Sequence, residues 1–169
     1  GNNTMLAVDG KIDATDSGDM LTQKMLGHLP LLLSDSAKKV VNIGLGSGVT
    51  ASAVLRYPIE KLDIIEISPE VVEASRFFEH VNEKALEDPR VELIIGDGRN
   101  HLRYTPTRYD VIISEPSNPW MSGMALLFTR EFFEEARNRL SDRGIHCQWL
   151  HSYNMSTDDM RTVIRSFRS

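Results

Sequence analysis

The sequence predicts a doubly wound α/β fold, in which helices cover both faces of a mainly parallel sheet. Three observations carry this prediction. Short apolar runs alternate with segments of helical character from Lys39 onwards, Pro, Ser and Gly residues separate these segments, and a glycine-rich turn follows the first run at residues 44–48. Because each helical crossover carries the chain back across the sheet, consecutive strands run parallel and their carboxyl ends share one edge.

Composition narrows the class of protein. The 169 residues carry a net charge of -5, with 41% hydrophobic and 25% charged residues, which is typical of one soluble globular unit. The mild acidity disfavours a nucleic-acid partner. The single Cys147 cannot form an internal disulfide and has no partner at a spacing typical of a zinc site. No apolar run reaches the roughly 20 residues of a membrane helix, and no signal-type leader is recognisable. We therefore expect a cytoplasmic protein without a metal site.

The N-terminal residues predict a hairpin and then a helix. Two short apolar runs flank Asp9-Gly10 within residues 5–14, which is a hairpin signal. Residues 16–19 offer helix caps, and apolar side chains then recur at helical spacing, namely Met20, Leu21, Met25, Leu26, Leu29 and Leu32. The predicted organisation is a hairpin and tail over residues 1–17 and an α/β domain over residues 18–169.

From residue 39 the pattern predicts five strands that alternate with five helices. The predicted strands are residues 40–43, 62–67, 91–95, 109–114 and 144–150. The predicted helices are residues 50–56, 69–81, 99–103, 129–140 and 157–167. Pro69 in a first helical turn, a turn at residues 142–144 and a cap at Ser156 mark three of the boundaries.

The first three strand ends present a glycine loop and two carboxylates. The loop has G-x-G-x-G spacing, with Val49 where a dinucleotide fingerprint has its third glycine, which disfavours a nicotinamide or flavin. Glu66 ends the second strand, where an acidic side chain accepts from both hydroxyls of a ribose. Asp97, between two glycines, is suited to an exocyclic amine such as that of adenine. Each feature alone also fits a plain turn or a surface carboxylate, but together they favour a cleft for an S-adenosyl ligand.

The fourth strand runs into Ser114-Glu115-Pro116-Ser117-Asn118-Pro119-Trp120, in which two prolines hold the backbone extended. Glu115 is the best candidate for a base or for an anchor of an amine. Trp120, Met121 and Met124 can form an apolar lid over the cleft. The alternative is a rigid surface loop whose aromatic residue packs against the fold.

An ordered set of motifs resembles the spermidine synthase family, the polyamine aminopropyltransferases, which share the Rossmann-like fold of class I S-adenosylmethionine-dependent methyltransferases. The motifs are V-D-G-K-I-D-A, H-L-P-L at residues 28–31, N-I-G-L-G-S-G-V, I-I-E-I-S-P-E-V-V, I-I-G-D-G-R, Y-D-V-I-I and L-F-T-R-E-F-F. The resemblance spans most of the chain. It implies the methyltransferase fold and either S-adenosylmethionine or its decarboxylated form as co-substrate.

The resemblance also implies roles for individual residues. A cofactor-binding set would hold the ribose, the adenine and the methionine-like tail, and it comprises Gln23, Gly44, Gly46, Ser47, Gly48, Glu66, Ile67, Asp97 and Gly98. A substrate set would receive the amine, and it comprises His28, Glu115, Asn118 and Trp120, with Glu115 as the catalytic carboxylate.

The chain departs from the family pattern at three points. Ser47 stands where the family usually has the Asp that holds the amine of the decarboxylated co-substrate. The family's D-S-S-D-P appears as Glu115-Pro116-Ser117-Asn118-Pro119, so Asn118 lacks a carboxylate. Thr22 replaces a tyrosine before Gln23. Ser47 thus removes the counter-charge for the amine of the decarboxylated donor, and Asn118 removes a negative charge from the expected binding pocket of a diamine.

Three functions remain open from the sequence. The first is transfer of an aminopropyl group from decarboxylated S-adenosylmethionine to an amine. The second is methyl transfer from ordinary S-adenosylmethionine, which Ser47 favours. The third is a nucleoside-binding module without turnover.

The family's longer architecture implies further expectations. Family members normally have a larger β domain before this region and two further strands after it, so we expect the last two strands of the full fold to be missing. An exposed edge at residues 144–150 then favours a homodimer there or at the N-terminal hairpin. Some longer relatives carry a membrane-embedded portion, and this chain is expected to correspond to the domain that follows it.

Overall fold

A five-stranded parallel sheet forms the centre of the protein in a computed structural model that describes residues 4–8, 10–116, 123–151 and 155–168. The hairpin strands β1 (Met5–Val8) and β2 (Lys11–Thr15) pair antiparallel beside it. The sheet has the spatial order β5 (Val91–Ile95), β4 (Lys61–Glu66), β3 (Lys39–Ile43), β6 (Tyr109–Ser114) and β7 (Leu140–Gln148), and every neighbouring pair is parallel. The strand order reverses at β3, so the carboxyl ends of β3, β4 and β6 meet at this switch point.

Seven α-helices connect and cover the strands within the described ranges. They are α1 (Met20–Leu33), α2 (Val49–Leu55), α3 (Pro69–Ser75), α4 (Glu79–Asn82), α5 (Gly98–Tyr104), α6 (Arg130–Arg139) and α7 (Thr157–Arg168). Short 3₁₀ segments lie at Arg76–Phe78, Ala85–Glu87 and Met124–Phe128. No helix in the described part of the chain has both the length and the apolar character needed to cross a bilayer.

Alternating side chains of the strands build one apolar core on each face of the sheet. Val40, Ile64 and Ile113 belong to the core beneath α1, α2 and α3, and Leu6 and Ala14 of the hairpin join this core. Val41 and Ile112 belong to the core beneath α5 and α6. This alternation is the period of two expected for strands that are covered on both faces, and it agrees with the predicted fold class.

Close contact between α1 and α2 places the start of α1 near the glycine-rich turn. Gly27 of α1 lies so near α2 that an added Cβ would stand 2.6 Å from Cβ of Ala53. The hydroxyl oxygen of Thr50 lies 3.1 Å from the carbonyl oxygen of Gln23. The first turns of the two helices therefore meet above the carboxyl end of β3.

The predicted single helix over residues 69–81 is interrupted in the structure. The chain forms α3, a 3₁₀ turn and then α4. The side-chain amide of Asn82 donates to the carbonyl oxygen of Ser75 at 2.9 Å, and in an uninterrupted α-helix this oxygen would accept from the N–H of Glu79. The same amide reaches the carbonyl of Ser47 at 2.7 Å, so the break in the helix supports the glycine-rich turn.

The last strand begins earlier than predicted. It starts at Leu140, directly after α6, and ends at Gln148. Leu140 pairs with Tyr109 and Ile145 with Val111, so the intervening residues of β7 lie opposite Asp110 alone and form a bulge. The residues predicted as a turn, 142–144, therefore lie within this bulge. In the sheet of the described residues, β7 is an edge strand.

Candidate active site

The candidate site is a cleft of about 930 Å³ at the carboxyl ends of the parallel strands. The loops after β3, β4, β5 and β6 form its floor, and the hairpin with the start of α1 forms one wall. Residues after β7 and the segment that begins at Gly123 complete the lining. This is the edge at which open α/β sheets bind their ligands.

The glycine-rich turn has a backbone conformation that residues other than glycine rarely adopt. Gly44, Gly46 and Gly48 all have positive φ, at 97°, 53° and 82°. A Cβ on Gly44 would also lie 3.1 Å from Cγ of Glu115, so glycine at this position lets the turn lie close to that side chain. Ser47 is buried within the turn.

Glu66 at the end of β4 is buried and held by the backbone. Its Oε2 accepts the N–H of Leu45 at 2.9 Å, and its Oε1 accepts the N–H of Ser68 at 2.9 Å. Each oxygen keeps a second lone pair. The carboxylate can therefore accept two further hydrogen bonds, as a vicinal diol requires.

Asp97 caps α5 at the next strand end. Its Oδ1 accepts the N–H of Arg99 at 2.8 Å, and its Oδ2 lies 3.0 Å from Nη2 of the Arg99 guanidinium. Burial raises the pKa of Asp97, but the hydrogen bonds and charge of Arg99 outweigh it and leave the pKa below its usual value. Gly98 is buried in the first turn of α5, and the exposed side chain of Ile67 lies on the same lining. This part of the cleft therefore combines a charged carboxylate with an apolar surface.

Glu115 follows β6 and points beneath the glycine-rich turn. Its Oε1 accepts from Nδ2 of Asn42 at 2.6 Å, and its Oε2 accepts from the hydroxyl of Thr50 at 2.7 Å. Burial raises the pKa of Glu115 from 4.5 to about 8; the two hydrogen bonds lower it, and the nearby charge of Glu66 raises it. A carboxyl group in this state can hold or release a proton near neutral pH.

Gln23 joins the hairpin to the glycine-rich turn. Its Nε2 donates to the carbonyl of Thr15 at 3.0 Å and to Oδ2 of Asp19 at 2.9 Å. Its Oε1 accepts from the hydroxyl of Ser47. The glycine-rich turn forms one end of the cleft, and Gln23 and Ser47 lie at this end. We call these two residues the tail corner, after the methionine-like tail of the expected ligand.

Comparison with known proteins adds the family to this geometry. Residues 19–169 match the model of the spermine/spermidine synthase domain. The chain belongs to this family. The match confirms the predicted family.

Two curated relatives in this family have different named activities. The chain is 33% identical over 162 residues to a polyamine aminopropyltransferase of Thermococcus onnurineus, covering 95% of this chain and 57% of the relative. It is 39% identical over 156 residues to putrescine N-methyltransferase 2 of Nicotiana tabacum, covering 88% of this chain and 44% of the relative. The chain is thus related to both kinds of transferase and spans about half the length of these relatives.

A solved structure of the same family supports the fold. A spermidine synthase in complex with the transition-state analogue AdoDATO superimposes with a TM-score of 0.89 at 28% sequence identity. The superposition covers 97% of this chain and 56% of that protein. Together with the five-stranded parallel sheet and the hairpin, it confirms the predicted fold class.

The structure brings most of the predicted residues into one cleft. The lining includes Gln23, Gly44, Gly46, Ser47, Glu66, Ile67, Asp97, Gly98 and Glu115. Gly48 lies just behind it, as the residue that caps α2. His28 is not in the lining, and its Nδ1 lies 3.1 Å from the hydroxyl of Tyr57. Asn118, Trp120 and Met121 lie outside the described residues, whereas Met124 of the predicted lid does line the cleft.

Several residues of the site were not predicted from the sequence, among them two that hold Glu115 and two that follow β7. Asn42 and Thr50 bind Glu115 from positions 73 and 65 residues away in the chain, and no local pattern announces such a contact. Trp149 and His151 line the cleft after β7, where the indole Nε1 donates to Nε2 of His151 at 2.9 Å. Their signal was their place at a strand end, the same signal that identified Glu66 and Asp97.

The cleft is acidic. Among the described residues that line it, the carboxylates are Asp13, Asp19, Glu66, Asp97 and Glu115, and Arg99 is the one Arg or Lys side chain. Arg99 is paired with Asp97 at 3.0 Å, and Asp13 lies 3.4 Å from Nζ of Lys11 at the edge. No group of three or more His, Cys, Asp or Glu side chains in the described ranges is placed to hold a metal ion.

Proposed function

We propose that this protein transfers an aminopropyl group from decarboxylated S-adenosylmethionine to an amine. The observation that carries the proposal is the acidic cleft, which is lined by four carboxylates and the carboxyl group of Glu115 against one paired arginine. The donor carries a sulfonium and an ammonium charge, and the acceptor is an ammonium ion in solution. An acidic pocket attracts both ligands and keeps them close together.

The nucleoside of the donor fits the half of the cleft formed by β4 and β5. In this proposal the free lone pairs of Glu66 accept the two ribose hydroxyls, and Asp97 accepts the amine of adenine while Ile67 packs against the ring. The methionine-like tail extends along the turn from Gly44 to the tail corner. Support comes from the carboxylates and the exposed apolar side chain, which lie in the order that the ligand requires.

Glu115 is proposed to bind the acceptor amine and take its proton. A bound sulfonium donor supplies a carbon whose bond to sulfur breaks, and the electron pair of that bond leaves on sulfur. The acceptor nitrogen must first lose a proton, because an ammonium ion has no lone pair with which to attack. Each oxygen of Glu115 keeps a lone pair beyond its bond to Asn42 or Thr50. A pKa of about 8 suits proton transfer at moderately alkaline pH.

Methyl transfer from ordinary S-adenosylmethionine is the second candidate. Ser47 favours it, because this neutral hydroxyl supplies no counter-charge for a terminal amine. The similarity to a putrescine N-methyltransferase also favours it. The same Glu115 would serve as base in both reactions, so the two candidates differ in the donor rather than in the acceptor chemistry.

Calorimetric titration with both donors, followed by mass spectrometry of products formed with diamines, tests the proposal. Tighter binding of the decarboxylated donor and an acceptor heavier by one aminopropyl group are expected. Tighter binding of ordinary S-adenosylmethionine by about tenfold, or about 1.4 kcal/mol, with a methylated product, would replace the first candidate by the second. Binding without any product would leave a nucleoside-binding module, the third function open from the sequence.

We also propose that two copies of the chain associate. The outer edge of β7 is unpaired within the described sheet, and α1 exposes apolar side chains, including Leu21, Met25, Leu29 and Leu32. Both features favour association. Sedimentation equilibrium is expected to give twice the mass of the 19.1 kDa chain.

A cytoplasmic location, a membrane portion elsewhere in the full protein and a domain boundary at residue 17 remain predictions.

A further inference from the structure

The tail corner contains a carboxylate that neither the motifs nor the proposed reaction uses. Asp19 stands at the N-cap position of α1, where an Asp commonly accepts a backbone N–H of the first helical turn. Its side chain makes no such bond. It instead turns towards the hairpin and towards Gln23.

Asp19 and the Thr15 carbonyl determine which way the Gln23 amide faces. Both N–H bonds of Nε2 are used, one to Thr15 O at 3.0 Å and one to Asp19 Oδ2 at 2.9 Å. If the amide turned over, its oxygen would face a carbonyl and a carboxylate, and three acceptors would repel one another. The amide oxygen is therefore directed to the opposite side, towards Ser47.

This orientation decides what the tail corner can bind. The Ser47 hydroxyl donates its one hydrogen to Gln23 Oε1, and its oxygen accepts the N–H of Val49 at 3.3 Å. The hydrogen-bonding capacity that remains on Gln23 Oε1 and on the Ser47 hydroxyl consists of lone pairs. Lone pairs accept hydrogen bonds from an ammonium group and repel a carboxylate.

We propose that Asp19 is the positioning residue of the tail corner: it fixes the amide oxygen of Gln23 towards the cleft so that a neutral pair of side chains can bind the amine of the donor tail. The inference rests on the proposed function. In this proposal, the junction between the hairpin and α1 selects the methionine-like tail of the donor. The chain has the neutral Ser47 in its glycine-rich turn. Asp19 acts through Gln23 and needs no contact with the donor.

Two substitutions separate positioning from charge. Asp19→Ala removes both acceptor oxygens and frees the Gln23 amide to turn over. In the wild type, Oδ1 of Asp19 accepts from the Thr15 hydroxyl and Oδ2 accepts from Gln23. Asp19→Asn can keep this arrangement, because its amide oxygen can take the place of Oδ2 while its NH₂ donates to the Thr15 hydroxyl, which also accepts. Asp16→Ala is the matched control, since Asp16 bonds to the Thr4 N–H and to His80 and does not line the cleft.

Calorimetry with three ligands measures the effect: both S-adenosyl donors and 5′-methylthioadenosine, which has the nucleoside and sulfur but no tail amine. Asp19→Ala is expected to weaken both donors by about tenfold. Affinity for 5′-methylthioadenosine should change by less than about twofold, a change too small to reflect a lost interaction. Asp19→Asn should restore most of the loss, and Asp16→Ala should leave all three affinities near those of the wild type. In a Gln23→Ala background, Asp19→Ala should cause no further loss, because the two residues act as one unit.

Several results would overturn the inference. Equal loss of all three ligands in Asp19→Ala would show a merely structural role, and unchanged donor binding would show no role. Equal losses in Asp19→Ala and Asp19→Asn would show that Asp19 acts by charge, and an additive loss in the Gln23→Ala background would show that it does not act through Gln23. A wild-type protein that binds none of the three ligands would overturn both proposals, whereas a methylated product would overturn aminopropyl transfer alone.

Discussion

Two carboxylates on either side of β3 are held in opposite ways. Glu66, at the end of β4, accepts hydrogen bonds from the backbone N–H groups of Leu45 and Ser68. Glu115, just after β6, accepts from the side chains of Asn42 and Thr50. Both side chains line the same cleft, and the charge of Glu66 raises the pKa of Glu115.

The difference separates a fixed ligand from a group with an adjustable proton affinity. Backbone N–H groups do not depend on the side chains of the residues that carry them. The path of the backbone around Glu66 is therefore enough to hold its carboxylate. Side-chain donors can be lost or replaced, and burial with only neutral donors holds the pKa of Glu115 at about 8. We therefore expect nucleoside binding to depend on Glu66 and proton transfer to depend on Glu115.

The largest expected effect is on turnover. Glu115→Gln removes the proposed base and should lower kcat at saturating donor by about a hundredfold or more. Donor affinity should be nearly unchanged, because a glutamine can keep both contacts. Its oxygen accepts from Asn42, and its NH₂ donates to Thr50 while the Thr50 hydroxyl donates to the Gln23 carbonyl, 3.1 Å away. Steady-state kinetics together with calorimetry check this, and intact turnover would show that Glu115 is not the base.

The same substitution at Glu66 should have the reverse pattern. Glu66→Gln points an NH₂ group at the N–H of either Leu45 or Ser68, so one buried donor faces another. We expect an affinity for the donor about tenfold weaker and a stability lower by about 1–3 kcal/mol, while kcat at saturating donor changes little. Calorimetric titration and urea unfolding measure the two effects. If Glu66→Gln lowered kcat but not affinity, the assigned roles of the two carboxylates would have to be exchanged.

The same contrast explains how much of the site could be predicted. The alternation of apolar runs and helices was enough to predict the parallel sheet, and Glu66 and Asp97 were found because they lie at or just after the end of a strand. The binding of a ligand where the strand order reverses follows from general rules of such sheets. These features depend on local sequence and on the path of the backbone.

Features that depend on side chains distant in the sequence were not predicted. Asn42 lies inside β3 and reads as one polar residue in an apolar run, and Thr50 reads as a helix residue, yet together they hold Glu115. The break after α3 has the same origin, because Asn82 takes a helical carbonyl in order to support the turn at Ser47. The tertiary contact outweighs the local helical pattern in this case.

A smaller effect is expected on the pH dependence of stability. Glu115 titrates near 8 in the folded protein and near 4.3 when unfolded. Between these values the folded state holds a proton that the unfolded state lacks, so this group's contribution to stability is complete below about pH 4.3 and is lost as the pH rises towards about 8. The Tm of Glu115→Gln minus that of the wild type should therefore grow by about 3–5 °C per pH unit over this window, because one pH unit corresponds to about 1.4 kcal/mol.

Thermal unfolding at several pH values between about 5 and 9, within and just beyond that titration window, checks this expectation. The matched control is Glu73→Gln, since Glu73 is exposed on α3 and does not line the cleft. The Tm difference of Glu73→Gln at each pH gives the baseline for the loss of an exposed carboxyl group. A pH-independent Tm difference for Glu115→Gln would contradict the raised pKa of Glu115. Glu115 and Glu66 would then differ less in proton affinity than their surroundings indicate.

The smallest effect concerns the hydrogen bond from Thr50. Its hydroxyl lowers the pKa of Glu115 by stabilising the charged form, so Thr50→Val, which keeps the shape and removes the donor, should raise that pKa. Because a one-unit shift corresponds to about 1.4 kcal/mol, and one hydrogen bond contributes about 0.5–1.5 kcal/mol, the midpoint of the pH–rate profile should move up by about 0.5–1 unit. Thr50→Ser keeps the hydroxyl and should leave the midpoint unchanged. A midpoint that moved equally in both variants would assign the effect to packing around α2, whereas movement in Thr50→Val alone would show that side-chain donors set the proton affinity of Glu115.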